Sequence, residues 1–408
     1  MIRFGFSEGA SARLASSGLV LVGMLVGATA LDAQVRTTGS IAAEARGFFS
    51  APLLDEQKRH SAALAFQPEF DYSWDRRRQS VVFEPFIRID FADDERTHLD
   101  IRELAWERAW RDWELRVGVR TVFWGVTESA HLVDVINQTD FVENLDGEDK
   151  LGQPMVNLAA IRDWGTIDLF VLPTFRERTF PGEEGRLRFP PVVSDEPQYV
   201  SDQGQNRVDI AARWSHFIGA FDLGVSYFWG TARDPFFVSD LSGSAPMLIP
   251  RYDLIHQFGV DVQYTTGPWL WKVEGITREG QEQPLFVSLV GGFERTLYQV
   301  AGSDADLGLI LEYLYDERGD AALTPFANDA FVGGRLAFND VQSTELLGGG
   351  IIDLDSGSAL VRLEGSRRFG SDWTADLELA SFVGVGMDEL FYGLRQDDFL
   401  SLTVTRWF

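Results

Sequence analysis

The chain has 408 residues, and its 62 acidic side chains outnumber its 36 basic ones, for a formal net charge of −26. So acidic a surface argues against nucleic acid as a partner, because binding phosphate needs basic patches. The chain contains no cysteine, so an exported form must draw its stability from a large closed structure and not from disulfide bonds.

The N-terminus has the layout of a secretory signal peptide. Two arginines precede an apolar run over 18–31, and small residues follow at Ala30 and Ala33. The run is too short and too isolated to be a membrane-spanning helix. We therefore predict a signal peptide over 1–33, cleaved after Ala33 or Ala30 during Sec-type export, and a mature barrel domain over 34–408.

The mature chain alternates apolar and polar residues with the two-residue period of β-strands. About eighteen segments show this pattern, each near the length that a tilted strand needs to cross a bilayer. The clearest segments, in chain order, are 113–124, 221–229, 254–264, 306–315 and 373–380. Between His98 and Trp110 the alternation slips, which predicts a β-bulge around Arg102 and Glu103.

The connections between these segments alternate between short and long. Short ones fall near residues 76–77, 111–112, 165, 218–219, 266–267, 303, 340–342 and 371–372. Longer ones cover 125–154, 176–205, 231–250, 316–330 and 383–398. Outer-membrane barrels have short periplasmic turns and longer external loops. We therefore predict an all-β fold, a single transmembrane antiparallel β-barrel of about 16–18 strands; the alternative is a soluble β-sandwich.

Tryptophan placement supports the barrel. Nine of the twelve tryptophans lie within a few residues of a short connection or of the C-terminus: Trp74, Trp110, Trp113, Trp164, Trp214, Trp269, Trp271, Trp373 and Trp407. Indole prefers the membrane–water interface, where its ring is half buried and its N–H stays hydrated. The rim with the short turns is therefore predicted to be the periplasmic one.

Charged residues occupy the strand face opposite the apolar one. A charge facing lipid costs about 2–4 kcal/mol at the bilayer midplane, so these side chains are predicted to point into the lumen. The predicted lumen-wall residues are Arg88, Arg116, Arg120, Arg213, Lys272, Glu274, Arg362 and Glu364. Two interpretations stay open: a network of ion pairs that stiffens the wall, or a polar path for a hydrophilic solute.

The connection over 125–154 is the candidate constriction of the pore. It mixes apolar residues with seven carboxylates and one lysine, and its predicted constriction residues are Glu128, Asp134, Asn137, Asp140 and Glu143. Folded inward and faced by the wall arginines 116, 120 and 213, these acids predict a preference for cations. The alternative is an external loop. The spacing of its acids matches no established calcium loop, and no metal site is predicted.

Part of this region resembles an uncharacterised family of Gram-negative outer-membrane proteins. The resemblance covers 118–140, where a glycine-led strand ends in Trp124-Gly125 and an Asp-x-x-Asn-x-x-Asp loop begins at Asp134. That family commonly has proline after the asparagine, where this chain has Gln138. The resemblance implies a porin-like protein and brings no assigned substrate.

The sequence offers little for an enzyme. Its five histidines are scattered, at His60, His98, His131, His216 and His256. No serine-hydrolase, zinc-protease or phosphate-loop motif is present in the sequence. We therefore predict a protein without enzymatic activity and without a cofactor.

The last residues form a strand with one apolar face. Leu400, Leu402, Val404 and Phe408 share that face, and the polar residues between them share the other. This end resembles the last strand of bacterial outer-membrane barrels, which implies that Phe408 is an assembly signal. Arg406 stands where that pattern usually has an apolar or aromatic residue.

These features predict a porin-like channel in the outer membrane for passive or facilitated diffusion of small hydrophilic solutes. One alternative is a closed-lumen binding or structural barrel whose external loops, 176–205 above all, engage partners. Another is a carrier of apolar compounds through a lateral opening near Pro85, Gly333 or Gly334. The partners expected are outer-membrane lipid, the barrel assembly machinery and a small solute; a homo-oligomer is left open.

Overall fold

The computed structural model describes residues 34–243 and 246–408. The predicted signal peptide over 1–33 lies outside these residues. The strands described are β1 (Gln34–Phe48), β2 (His60–Trp74), β3 (Gln79–Asp90), β4 (His98–Ala109), β5 (Trp113–Arg120), β6 (Gln153–Arg162), β7 (Gly165–Leu172), β8 (Val192–Val193), β9 (Gln198–Tyr199), β10 (Asp209–Ile218), β11 (Phe221–Thr231), β12 (Phe236–Asp240), β13 (Met247–Tyr252), β14 (Leu254–Thr266), β15 (Trp269–Gly280), β16 (Gln283–Leu297), β17 (Asp306–Asp316), β18 (Asn328–Ala337), β19 (Glu345–Asp353), β20 (Ala359–Phe369), β21 (Trp373–Val383) and β22 (Phe399–Trp407).

Within the described residues, helix is confined to short turns in the connections. The 3₁₀ helices of the described ranges are Gly204–Asn206, Val300–Gly302, Gly319–Ala321 and Leu390–Leu394. Within residues 34–243 and 246–408, no helix has the length and apolarity that crossing a membrane would require.

Eighteen strands form one closed antiparallel barrel. Each pairs with its neighbour along the chain; β7 pairs with β10 and β11 with β14 across longer connections. The barrel closes where Ser40–Phe48 of β1 pair with Phe399–Trp407 of β22. The remaining four strands, β8, β9, β12 and β13, make a small separate sheet in the long connections. The prediction of a single all-β barrel is confirmed, at the upper end of the predicted strand number.

The apolar and polar residues that alternate in the sequence point alternately outward and inward in the barrel wall. On β17, Leu309 and Leu311 are 43% and 42% exposed on the outer face, whereas Ile310 and Glu312 between them are 2% and 1% exposed. Side chains on successive residues of a strand point to opposite faces, so the outward set is apolar and the inward set can be charged. The outer surface is therefore suited to lipid.

Two local features refine the predicted strands. The pairing of β3 with β4 slips between Glu84 and Pro85, which leaves Arg102 without an opposite residue, so the predicted bulge is confirmed. The alternation predicted a strand that continues to Trp124, but β5 ends at Arg120. The prediction was wrong because the chain turns into the barrel after Arg120.

The short connections lie together on one rim and most long ones on the other, as predicted. Two connections on the long-loop rim are short: the one between β19 and β20 covers 354–358, and the one between β15 and β16 consists only of Gln281 and Glu282. Both residues have φ 57°, the left-handed conformation that a tight two-residue hairpin turn requires. The nine rim tryptophans stand on the short-turn side, where Trp164 and Trp407 are 54% and 51% exposed. This arrangement matches an aromatic belt.

The β18 glycines proposed for a lateral opening stay paired, whereas at Pro85 the pairing of β3 with β2 is interrupted between Phe66 and Phe70. Gly333 and Gly334 of β18 are paired on both sides, with β17 and β19. A Cβ atom at Gly333 would lie 2.6 Å from the ring of Phe331, and one at Gly349 on the next strand would also lie 2.6 Å from it. These glycines therefore make room for an inward phenyl ring and do not open the wall.

The end of the chain is part of the closing seam. The N–H of Phe408 donates to the carbonyl oxygen of Gly39 at 3.0 Å, and the N–H of Gly39 donates to the carbonyl oxygen of Phe408 at 3.1 Å. The Phe408 ring stacks on Phe66, with ring centroids 6.3 Å apart. Phe408 therefore contributes both backbone pairing and outward aromatic surface to the seam.

Deleting Phe408 should impair assembly in the membrane, because it removes two backbone hydrogen bonds and the ring that stacks on Phe66 at the seam. The measurement is the amount of heat-modifiable protein in the outer-membrane fraction, with Phe408→Tyr as the control that keeps ring and backbone. Normal yield and normal heat-modifiability of the truncated chain would show that neither the seam nor the assembly signal needs this residue.

Candidate functional site

The connection between β5 and β6, residues 121–152, turns into the barrel; we name it the lumen segment. Asn137 ties its two ends together. The Asn137 amide donates 2.8 Å hydrogen bonds to the carbonyl oxygens of Arg120 and Leu151, and its Oδ1 accepts one of 2.8 Å from the N–H of Val122. One buried side chain thus closes the base of the segment and directs it inward.

Trp124 and Gly125 hold the start of the lumen segment against the wall. The buried Trp124 ring lies under the Arg213 guanidinium, 5.3 Å from the ring centroid. Gly125 has φ +154°, and a Cβ atom there would stand 2.9 Å from the His131 ring and 3.1 Å from the carboxylate of Glu274. Glycine therefore permits the close approach of segment and wall at this point.

Glu274 of β15 is the first wall carboxylate that anchors the lumen segment. Its Oε1 accepts hydrogen bonds from the N–H of Val126 at 2.7 Å, the N–H of Thr127 at 3.0 Å and the Thr127 hydroxyl at 2.7 Å. Its Oε2 accepts from the N–H of Val133 at 3.3 Å. The Glu274 side chain is fully buried beneath these donors.

Glu312 of β17 is the second anchor. It accepts hydrogen bonds from the N–H of Glu128 at 2.9 Å, the N–H of Ser129 at 2.8 Å and the Ser129 hydroxyl at 2.6 Å. Within the described chain, no lysine or arginine lies within ion-pair distance of Glu274 or Glu312. Because a buried carboxylate is costly unless hydrogen bonds satisfy it, wall and segment stabilise each other.

Apolar side chains of the lumen segment fill one half of the barrel. Val133, Val135 and Ile136 are almost completely buried and pack with inward residues of β6, β7, β10, β11, β14 and β15: Met155, Phe170, Leu172, Ala211, Phe228, Ile255 and Ile276. Ala130 and Leu132 pack against a second cluster from β16 to β19. The inward-folded arrangement is therefore the one adopted, and the alternative of an external loop is not.

Two of the predicted constriction acids are held by lysine and arginine. Glu128 lies 2.8 Å from a guanidinium nitrogen of Arg335 and 3.6 Å from Nζ of Lys272. Asp134 lies 3.1 Å from Nζ of Lys150, within the segment itself. These carboxylates face positive partners and not open lumen.

The other two predicted acids are held by wall arginines. Asp140 is 2.7 Å from Nη2 of Arg102, the bulged residue of β4, and Glu143 is 2.6 Å from Nη2 of Arg88 on β3. Both carboxylates are buried. The structure thus brings all five predicted constriction residues inward, but Glu128, Asp140 and Glu143 attach the segment to the wall, whereas Asp134 and Asn137 hold the segment together.

The wall arginines at 116, 120 and 213 were expected to face the segment. They pair instead with wall carboxylates, in the pairs Arg116–Glu107 at 2.9 Å, Arg120–Glu103 at 3.3 Å and Arg213–Asp261 at 2.7 Å. Of the three guanidiniums, that of Arg213 also contacts the segment, through the Trp124 ring. The prediction failed for the other two because the neighbouring strand β4 supplies closer acids.

Arg362 of β20 gathers carboxylates on the opposite side of the lumen. Its Nη2 lies 3.0 Å from Asp146 of the lumen segment, 3.0 Å from Glu364 and 2.6 Å from Glu378 of β21. The segment therefore spans the lumen from its anchors on β15 and β17 to this cluster on β20 and β21.

A cavity of 420 Å³ lies beside the lumen segment, against the wall from β18 through β22 to β1 and β3. Its lining carries the carboxylates Glu44, Glu143, Asp146, Asp149, Glu345, Glu364, Asp376 and Glu378. It also carries the arginines Arg46, Arg88, Arg335 and Arg362. Half of the lumen is thus packed with apolar side chains, and the other half keeps a polar space.

Several residues of this region were not among the predicted site residues. Glu44 accepts hydrogen bonds from Arg88 and Arg96 at 2.9 Å, and Glu345 lines the cavity. Glu44 lies at an inward position of β1, so the alternation of that strand is the signal that could have identified it. Arg96 lies in a connection, where no alternation exists to identify it.

A second connection, residues 173–208, packs over the lumen segment. The hydroxyl of Thr179 donates to Oδ1 of Asp140 at 2.6 Å. Farther along, Nε of Arg186 lies 2.6 Å from Asp397 in the connection between β21 and β22. This connection therefore covers part of the long-loop rim as a lid and is not an extended linker.

The site and the wall define a β-barrel with a porin-like fold. No family model and no curated protein matches the chain. Among solved structures, the chain is similar to a BenF-like porin from Pseudomonas fluorescens Pf-5, with a TM-score of 0.54 and 10% identity over 92% of this chain and 98% of that one. It is also similar to Wzi, a carbohydrate-binding outer-membrane protein involved in group 1 capsule assembly in Escherichia coli, with a TM-score of 0.51 and 11% identity over 90% of this chain and 84% of that one.

Replacing Glu274 or Glu312 by glutamine should loosen the lumen segment. Glutamine has one acceptor oxygen and an amide that would face other donors, and hydrogen bonds to a charged acceptor are worth about 1.5–3 kcal/mol each. Hydrogen exchange of the backbone amides of 126–133 should become about tenfold faster or more. Glu294→Gln removes a carboxylate that makes no hydrogen bond to the segment in the described chain, and is the control. Unchanged exchange in both variants would contradict the anchoring.

His131 should stay protonated far above neutral pH. Burial alone would lower its pKa, but the carboxylates of Glu148, 3.0 Å away, and Glu274, 3.8 Å away, outweigh burial and raise the pKa from 6.5 to about 10. The resulting stabilisation is complete below pH 6.5, declines as the pH rises and is lost above about 10.

Ring NMR signals of labelled His131 measure this directly. We expect titration near pH 10, and a lower value in Glu148→Gln, which removes the nearer carboxylate. Titration near the ordinary value of 6.5 in the native chain would show that the two carboxylates do not hold this ring.

Proposed function

We propose that the protein is exported through the Sec pathway to the outer membrane and acts there as a cation-preferring channel for small hydrophilic solutes. The observation that carries this proposal is the polar cavity of 420 Å³ between the lumen segment and the wall. Its lining reaches from the middle of the barrel, at Glu44, to the short-turn ends of β19 and β21, at Glu345 and Asp376. The fold likeness to a BenF-like porin agrees with this function.

The charges of the cavity support a preference for cations. Each lining arginine has a carboxylate partner: Arg46 with Glu44, Arg88 with Glu143, Arg335 with Glu128, and Arg362 with Glu378. In the described chain, three lining carboxylates have no basic partner within ion-pair distance: Asp149, Glu345 and Asp376. Unpaired carboxylates in a narrow passage attract cations and repel anions.

The residues that we propose for ion selectivity are not the constriction acids that the sequence predicted. Glu128, Asp134, Asp140 and Glu143 are each close to a basic side chain, so their negative charge is locally compensated. Neutralising them would release positive partners as well as remove acids. The three unpaired carboxylates are therefore the residues that we assign to ion selection.

A closed-lumen barrel is the competing function, because the connection over 173–208 covers part of the long-loop rim. In that case this connection would close the cavity at the long-loop rim. Conductance separates the two functions directly, since a closed barrel passes no steady current.

The triple variant Asp149→Asn, Glu345→Gln, Asp376→Asn should lose cation preference. In planar bilayers with a salt gradient, its reversal potential should move towards the value for anions, because carboxylates without a basic partner leave the passage. The measurement is made above pH 7, since burial and the acids Glu143 and Asp146 raise the pKa of Asp149 to about 7. Raising the ionic strength should weaken the native preference by screening, as the Debye length falls from about 10 Å at 0.1 M to about 3 Å at 1 M.

The matched control removes three exposed carboxylates from the long-loop rim, as Asp195→Asn, Glu196→Gln and Asp202→Asn. Its reversal potential should stay close to the native value. Native protein that gives no current would favour the closed-lumen barrel, and an unchanged reversal potential in the cavity variant would place the ion path elsewhere.

A further inference from the structure

A histidine and two carboxylates meet where the lumen segment touches β4. Nε2 of His98, the first residue of β4, lies 3.4 Å from Oε1 of Glu143 and 3.6 Å from Oδ2 of Asp140. The three ligand atoms lie within 4.8 Å of one another. One group comes from the barrel wall and two from the lumen segment.

The orientation of the imidazole is fixed from behind. Nδ1 of His98 lies 3.0 Å from the carbonyl oxygen of Arg96. A carbonyl oxygen only accepts, so Nδ1 must be the donor, and Nε2 is the nitrogen turned towards the two carboxylates. Metal-binding histidines characteristically donate their other ring N–H to a carbonyl or carboxylate in this way.

A second, independent observation points to a ligand. The Glu143 side chain is 5% exposed, and its Oε1 has no hydrogen-bond partner among the described residues, although Arg88 holds its Oε2. Nε2 of His98 is also buried without a hydrogen-bond partner in that part of the chain. Two buried atoms, each with an electron pair to donate, thus face each other at 3.4 Å. Such a pair requires either a proton or a cation between its members.

We propose that His98, Asp140 and Glu143 bind a divalent transition-metal ion of the Zn²⁺ class. Tetrahedral zinc has ligand bonds of about 2.0–2.2 Å, which places its ligand atoms about 3.3–3.6 Å apart. The distances from Nε2 to the two carboxylate oxygens, 3.4 and 3.6 Å, have this size. Imidazole with carboxylate is a donor set for this class of ion, and a water molecule would complete four-coordination.

The charges around the site are balanced rather than uniformly positive. Arg88 and Arg102 oppose a cation, since each lies beside one of the ligand carboxylates. Both are themselves paired with further acids, Arg88 with Glu44 at 2.9 Å and Arg102 with Asp100 at 3.1 Å. Arg96, behind His98, is likewise paired with Glu44 and with Asp90.

Metal at this position would add a wall-to-segment bond on the side opposite the carboxylate anchors. His98 stands on β4, whereas Glu274 and Glu312 stand on β15 and β17. The proposal does not depend on conductance, because it concerns binding by the folded barrel.

The test is calorimetric titration of the EDTA-treated, dialysed barrel in detergent with Zn²⁺. We expect one ion per chain, and an affinity reduced about tenfold or more in His98→Gln and in Glu143→Gln, since each loses a ligand. His60→Gln is the matched control, because His60 is exposed at the start of β2 and should leave binding unchanged. Heat-modifiability confirms that each variant is folded.

Co²⁺ provides a second readout that needs no variant. The native barrel should give the intense visible absorption of four-coordinate Co²⁺, which Zn²⁺ then abolishes by displacement. Native protein that binds no Zn²⁺ and gives no such absorption overturns the proposal and assigns a proton to Nε2 of His98. Equal affinity in native protein and His98→Gln overturns it as well.

Discussion

The arrangement of the lumen depends on two buried wall carboxylates satisfied by backbone N–H groups of the lumen segment. Glu274 and Glu312 are at most 1% exposed and receive hydrogen bonds from residues at 126–129 and from Val133. An ionised carboxylate without such donors would be strongly unfavourable there, and the N–H groups would lose strong acceptors. Wall and segment therefore fix each other.

The anchors divide the barrel into two unlike halves. Towards β6–β15, apolar side chains of the segment form a buried cluster with inward residues of the wall. Towards β18–β22 and β1, the segment presents acids to wall arginines and leaves a charged cavity. An eighteen-stranded wall is wide enough for an aqueous channel, so the segment, rather than the wall, determines how much of that width stays open.

Sequence reasoning predicted what depends on local pattern. Alternation identified the strands, the parity slip placed the bulge at Arg102, and tryptophan positions identified the rim. Parity also indicates that Glu274 faces inward, but not which groups it meets, because its donors lie more than 140 positions earlier in the chain. For the same reason the acids of the segment were expected in open lumen, whereas wall arginines compensate Glu128, Asp140 and Glu143.

The most direct test of this account is cross-linking of the lumen segment to the far wall. The native chain has no cysteine, so Asp146→Cys with Arg362→Cys, whose native side chains lie 3.0 Å apart, gives a clean pair. The account predicts efficient cross-linking by a short bifunctional thiol reagent in the folded barrel, and little with Asp146→Cys and Glu294→Cys. Absence of the first cross-link, or equal yields for both pairs, would contradict a segment fixed across the lumen.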